Sequence, residues 1–311
     1  MYVQVFLLIL AVAVLYYGAE FTLESGEKIG RYFGLSPLVI GLLIVGFGTS
    51  LPEFFVSQLA CLRGESPIAL GNIVGSNIAN LFLIMGISGL FVTLHILRKE
   101  IFDQLVFHIF LTGLLTITLL QKEFTLWSAI SLLGFFCFYL YKTFSKMRKQ
   151  RQLKSLDSVE EVKELKFIDG ILLVLGFALL YGGGDLLVYS GTNLGKSLGI
   201  STYVISAVFL AFGTSFPELM TAMLACYKKK NTDLITGNII GSNIFNVAFV
   251  MTSIYPYKIT YGRDYKIELL IIGGAALYLF ILSAMKKNFT RISGVLFCVC
   301  YIGIVWYWAG A

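Results

Sequence analysis

The chain has 311 residues, 57% of them hydrophobic and 14% charged, whereas an ordinary soluble domain carries about 25% charged residues. Apolar runs of about 20 residues, the length that crosses ~30 Å of hydrocarbon as helix, recur as far as the C-terminus. This composition excludes a soluble globular domain and implies an all-α polytopic membrane protein whose helices satisfy their own backbone.

Ten membrane helices are expected, at 2–22, 38–60, 67–92, 103–121, 124–146, 167–190, 202–226, 233–255, 266–285 and 290–309. The first run, MYVQVFLLILAVAVLYYGAE, has no Lys or Arg ahead of it. A cleavable signal peptide needs a basic leader, so the run reads as the first membrane helix. The second carries GTSLPE at 48–53 in the middle of apolar sequence. Pro52 has no N–H, so the carbonyl of Gly48 loses its helical partner, and nearby glycines loosen the backbone further. The break is expected to open the helix and leave bare carbonyl oxygens beside Thr, Ser and Glu53. The third helix opens on GNIVGSNIAN at 71–80, where Ser76 and Asn80, four residues apart, share one face. That face is expected to point at the broken helix of its own half.

His95 and His108 follow near the ends of their segments, and an interfacial role is favoured for both over a ligand role. The hydrophilic stretch SKMRKQRQLKSLDSVEEVKELK mixes both charge signs and reads as a solvated connector rather than a regulatory domain. Beyond it the pattern starts again. The seventh helix carries GTSFPE at 213–218, with Pro217 freeing Gly213, and the eighth opens on GNIIGSNIFN at 237–246. Cys61, Cys137, Cys226, Cys298 and Cys300 lie in or beside apolar runs without metal-ligand spacing and read as small hydrophobes.

The recurrence holds a constant register. Glu20 and Asp185, Gly34 and Gly199, Ser36 and Ser201, Pro52 and Pro217, and Glu53 and Glu218 are each 165 apart. After one extra loop residue the offset becomes 166 and joins Asn72 to Asn238, Ser76 to Ser242, Asn77 to Asn243 and Asn80 to Asn246. The chain therefore divides into a first five-helix repeat at 1–146, a cytoplasmic linker at 147–166 and a second five-helix repeat at 167–311. Five is odd, so the repeats enter the membrane from opposite sides, an arrangement of many secondary transporters with the site at the midplane. On this topology one side receives eighteen of the 24 Lys and Arg residues. That side is cytoplasmic by the positive-inside rule, which places both termini outside. The net charge of +6 is thus a topology signal and not a mark of nucleic-acid binding.

Matched glutamates in matched broken helices are costly in hydrocarbon unless something occupies them. Two carboxylates, several hydroxyls, amide oxygens and free carbonyls, with no thiolate or imidazole, suit a hard cation such as Ca²⁺ or Na⁺. Glu20 and Asp185 are placed at helix ends, where capping or interfacial solvation is favoured over ion binding.

With these paired motifs the sequence resembles the cation/Ca²⁺ exchanger superfamily over essentially its whole length, and in particular the prokaryotic sodium/calcium antiporters. The resemblance implies that Glu53 and Glu218 bind Ca²⁺ with the backbone carbonyls of Thr49 and Thr214. It implies one sodium site from Ser50, Ser76 and the carbonyl of Gly46, and another from Ser215, Ser242 and the carbonyl of Ala211. Asn80 and Asn246 complete the centre. Some relatives carry Asp where this chain has Asn246, so potassium coupling is not expected. The implied activity is Ca²⁺:Na⁺ antiport by alternating access in the cell (inner) membrane, by a monomer, with no cofactor beyond the transported ions. Ca²⁺/H⁺ exchange is the alternative within the class. A cation channel fits an inverted duplication poorly, and an intramembrane hydrolase lacks a water-activating motif.

Overall fold

The computed structural model describes residues 2–97, 99–121, 123–154, 164–199, 213–259, 261 and 264–310. Ten helices follow one another: α1 (Tyr2–Tyr32), α2 (Pro37–Leu62), α3 (Ser66–Phe91), α4 (Lys99–Leu120), α5 (Leu126–Lys154), α6 (Phe167–Ser197), α7 (described over Phe216–Tyr227), α8 (Thr232–Ser253), α9 (Lys266–Ala284) and α10 (Arg291–Gly310). Among the described residues, nine helices are long and apolar enough to cross a membrane. The expected ligand Ala211 and the first half of the seventh expected helix lie outside the described residues.

Two helices are longer than the sequence suggested. α1 and α6 each run 31 residues, about 46 Å of helix against ~30 Å of hydrocarbon. Each stops at a glycine in the left-handed region, Gly34 (φ 74°) and Gly199 (φ 75°), a conformation that ends helices at little cost to a residue without Cβ. Glu20 and Asp185 consequently sit inside their helices, not at the ends where they were placed. The charged cluster after Glu20 looked like a helix terminus, but its members have partners. Lys228, just beyond α7, pairs with Glu20 and Glu24; Lys230 pairs with Glu27; and Lys28 pairs with Asp169 of α6. Asp185 lies on the exposed side of α6.

Small residues decide the packing. A Cβ on Gly18 would stand 2.8 Å from the Leu180 nitrogen, and one on Gly176 2.8 Å from the Thr22 nitrogen. α1 and α6 therefore touch backbone to backbone, as glycines permit in membranes. α2 and α8 meet in the same way: a Cβ on Gly241 would lie 2.5 Å from the Leu42 carbonyl oxygen, and one on Gly237 would collide with that of Leu38. The two contacts differ in depth. The apolar window of α8 is 94% buried and that of α3 78%, against 22% for α1 and 28% for α6. Among the described residues the core is thus α2, α3, α7 and α8, with the α1–α6 pair packed against it and largely exposed.

The first break is narrower than expected. In the first copy the helical path is interrupted at the single residue Ser50 (φ −87°, ψ 4°), and in the second a turn at 213–215 ends on Ser215 (φ −90°, ψ 5°) before the helix. It resumes at once, with Phe54 N–H donating to the Ser50 carbonyl and Leu219 N–H to that of Ser215. Pro52 and Pro217 fall in the first turn of the resumed helix, where no intrahelical N–H is required of them. A proline there restarts a helix and does not splay it open. Wider turns of π-helix occupy Gly41–Val45, Ala79–Met85 and Asn246–Val250. The last two start at or beside the matched Asn80 and Asn246.

Candidate functional site

Each serine interruption aims the following glutamate into the core. Glu53 and Glu218 are 0% exposed, as are Thr49, Ser50, Asn80, Ser242 and Asn246, with Ser76 and Ser215 at 3%. Thr214 is half-buried and Gly46 buried. The structure thus buries every expected ligand that it describes, Thr214 only in part.

The surroundings of the two carboxylates are related but unequal. Thr214 and Ser215 stand beside Glu53, while Thr49, Ser50 and Ser242 stand beside Glu218, and the two carboxylates act on one another electrostatically. The Ser50 hydroxyl donates to Glu218 Oε1 at 3.2 Å, and the Ser242 hydroxyl approaches the same oxygen at 3.3 Å. Neither oxygen of Glu53 has a hydrogen-bond partner among the described residues. Glu218 Oε2, Asn80 Oδ1, Asn246 Oδ1 and Ser215 Oγ likewise have none. Buried polar atoms are ordinarily paired, and an orphan costs about 1–3 kcal/mol. These five unpartnered acceptors and one hydroxyl, on residues that recur in both halves, are oxygen ligands of the kind a hard cation takes.

The amides are turned so that their oxygens stay free. Asn246 donates through Nδ2 to Ser76 Oγ at 3.1 Å, and Asn80 donates through Nδ2 to Asn243 Oδ1 at 3.0 Å. Both contacts cross between the halves, so Ser76 does not turn only to the broken helix of its own half. Ser242 serves both halves, approaching Glu218 of its own and the Gly46 carbonyl of the other at 3.1 Å. Among the described residues Ser76 makes no hydrogen bond to Gly46, the partner first assigned to it. Sequence spacing identifies neighbours on one helix and says nothing of which helix lies opposite.

A second ring of residues holds this arrangement. Thr49 Oγ1 donates to Asn238 Oδ1 at 3.3 Å, and its counterpart Thr214 Oγ1 to Asn72 Oδ1 at 2.9 Å. Asn72 Nδ2 in turn reaches the Glu53 carbonyl and Ser57, and Asn238 Nδ2 reaches Thr221. The repeat spacing had marked Asn72 and Asn238 without giving them this task. His108 differs most from expectation. It lies in the middle of α4, 3% exposed, with Nε2 3.3 Å from Asn243 Nδ2, and not at an interface. A lone histidine in an apolar helix carries no periodic signal that could have revealed this. Among the described residues no group of three or more His, Cys, Asp or Glu is placed to hold a metal ion, and the unpartnered atoms of Glu53, Glu218, Asn80, Asn246 and Ser215 are all oxygens.

Comparison with known proteins completes the description. The family described as sodium/calcium exchanger protein matches residues 3–144 and 169–309. The inner membrane protein YrbG of Escherichia coli is 33% identical over 277 residues, covering 85% of each chain. The sodium/calcium exchanger MaX1 of Methanosarcina acetivorans is 41% identical over 99 residues, 32% of this chain and 28% of its own. A solved structure of the sodium-calcium exchanger NCX_Mj, soaked with Na⁺ and Sr²⁺, superposes with a TM-score of 0.82 at 27% identity, covering 97% of each chain.

Proposed function

Because the chain belongs to the sodium/calcium exchanger family, we propose that it is a secondary antiporter that exchanges Ca²⁺ for Na⁺ across the cell membrane by alternating access. The observation that carries this reading is the pair of fully buried carboxylates, of which both Glu53 oxygens and Glu218 Oε2, like the side-chain oxygens of Asn80 and Asn246, have no hydrogen-bond partner among the described residues. Two negative charges and a set of hard oxygens match a divalent ion that binds oxygen ligands. Ca²⁺ would take Glu53 and Glu218 with the backbone carbonyls of Thr49 and Thr214.

Sodium rather than protons is taken as the counter-ion because the hydroxyl and carbonyl oxygens beside Glu218 are ligands that a proton would not need. Thr49 Oγ1, Ser50 Oγ, Ser242 Oγ, the Gly46 carbonyl, Asn238 Oδ1 and Glu218 Oε1 make six close oxygen–oxygen approaches. Only the three hydroxyls bring a proton, one each. Some of these oxygens therefore face each other with no hydrogen between them while Glu218 is ionised, which a monovalent cation, or a proton on Glu218, would relieve. Sodium would be held by the Gly46 carbonyl, Ser50 and Ser242 beside Glu218. By the register of the repeats, the matching sodium ligands would be the Ala211 carbonyl, which lies outside the described residues, with Ser215 and Ser76.

The Thr49–Asn238 and Thr214–Asn72 bonds are counterparts across the two halves, as expected of two inverted five-helix repeats about a midplane site. Orientation follows the distribution of positive charge, with the linker cytoplasmic and both termini outside. The working unit is taken as a monomer in the lipid bilayer, and the inward sodium gradient would drive Ca²⁺ out. The test is Ca²⁺ uptake into proteoliposomes with an imposed sodium gradient or proton gradient in turn. Uptake driven by outward sodium and not by protons supports the proposal. Uptake driven by a pH gradient alone replaces sodium with protons, and uptake indifferent to both discards antiport.

A further inference from the structure

The two matched amides at the site are oriented by different means. Asn246 donates directly to Ser76. Asn80 donates to Asn243 Oδ1, and the setting of Asn243 is fixed from behind. Asn243 Nδ2 points toward the Asn77 carbonyl at 3.4 Å and toward His108 Nε2 at 3.3 Å. A carbonyl oxygen can only accept, so the amide nitrogen of Asn243 must be on that side and its oxygen on the side of Asn80. His108 Nε2 then has to accept, which leaves the ring proton on Nδ1. The main chain of His108 is held as well, its carbonyl accepting from Thr112 Oγ1 at 2.8 Å.

We propose that His108 is a positioning residue for cation binding. It accepts from Asn243, Asn243 accepts from Asn80, and Asn80 is thereby kept with its oxygen toward the ions. The inference rests on the reading of Asn80 as facing the ions. Asn80 Oδ1 and His108 Nδ1 are both buried without a partner among the described residues. The relay therefore ends on a bare oxygen at one end and a bare ring nitrogen at the other. Without an acceptor at 108, Asn243 keeps only the long contact to Asn77. The Asn243 and Asn80 amides could then turn over together, which would present an NH₂ group to a cation. The donor set of the site would lose one oxygen and gain a repelling dipole.

The test uses the full chain in proteoliposomes and follows sodium-driven ⁴⁵Ca²⁺ uptake. His108→Leu removes the acceptor; a hydrogen bond contributes about 1 kcal/mol net, so the half-saturating Ca²⁺ concentration should rise about fivefold or more with a smaller change in maximal rate. His108→Gln, whose side-chain carbonyl can accept from Asn243, should restore it. In an Asn80→Ala background His108→Leu should change nothing further, since the relay no longer has an oxygen to aim. If the leucine variant fails to insert, His108→Met takes its place in the same series. Unchanged half-saturation in both apolar variants overturns the inference. So does an equal increase with and without Asn80, which would mark His108 as packing alone. Absence of saturable Ca²⁺ uptake by the parent protein would instead overturn the antiport reading on which the inference stands.

Discussion

Replacing Glu53 or Glu218 by Gln should make the ion-free protein more stable and at the same time abolish its stabilisation by Ca²⁺. Both carboxylates are fully buried, Glu53 has no partner among the described residues, and Glu218 has one bare oxygen. An uncompensated buried charge costs several kcal/mol. Gln keeps the shape and removes the charge, while its unmatched N–H groups cost about 1–3 kcal/mol. The net gain should be about 1–3 kcal/mol. With an unfolding entropy of ~2.1 cal/mol/K per residue over 311 residues, each kcal/mol moves Tm by about 1.5 °C, so Tm should rise by about 2–5 °C. For the parent, Ca²⁺ at about 100 times Kd adds ~2.7 kcal/mol, or about 4 °C. A unit charge about 4 Å from a divalent ion contributes ~8 kcal/mol at an effective dielectric of ~20. Losing a third of that weakens binding about 100-fold and removes the Ca²⁺ shift. The assay is thermal unfolding of the purified protein in detergent, with chelator or Ca²⁺, in buffer alkaline enough to ionise both carboxylates. Variants that melt below the parent without ions, yet gain as much from Ca²⁺ as the parent does, would refute this reasoning.

The same two variants should insert in the membrane but lose exchange, and near-normal ⁴⁵Ca²⁺ uptake in either would exclude the proposed site. Ser50→Ala and Ser242→Ala remove hydroxyls packed against Glu218 Oε1; they should raise the sodium concentration needed for half-maximal exchange more than that of Ca²⁺, as flux titrations would reveal. Gly237→Ala drives a methyl group into the Leu38 carbonyl. It should cost about 1–3 kcal/mol by overpacking, measured as a lower Tm, and should also impair transport because α2 and α8 share the Thr49–Ser242 contact. Lys228→Ala should cost less than about 1 kcal/mol, since its pairs with Glu20 and Glu24 are partly exposed. A larger loss of Tm would mean that these ion pairs hold α1 to the core.

The residues of the site were legible because a membrane makes polarity conspicuous. Glu53, Glu218 and the Ser and Asn residues that follow stand out in apolar runs, and each occurs twice in one register. The assembly of the site was not legible. Ser242 reaches Gly46 and Asn246 reaches Ser76 through packing between the halves, to which spacing along one helix is blind. Proline marked the interruption of the first copy, but its place in the first turn of the resumed helix limits that break to the single residue Ser50. The π-helical turns at Asn80 and Asn246 have no proline or glycine of their own to announce them. α1 outran its expected end, and the glutamates there, Glu20, Glu24 and Glu27, find lysine partners from beyond α7.

Obligatory exchange follows most directly from two buried carboxylates that need cations beside them. A carrier holding Ca²⁺ or Na⁺ has its charges cancelled and can close, whereas one left with two bare carboxylates pays for occluding them. Proteoliposomes preloaded with ⁴⁵Ca²⁺ and diluted into medium free of Ca²⁺ and Na⁺, at a pH that keeps protons scarce, should retain their label, and addition of external Na⁺ should release it at once. Rapid loss of label before Na⁺ is added would mean that the empty carrier returns freely, contradicting the role given to Glu53 and Glu218.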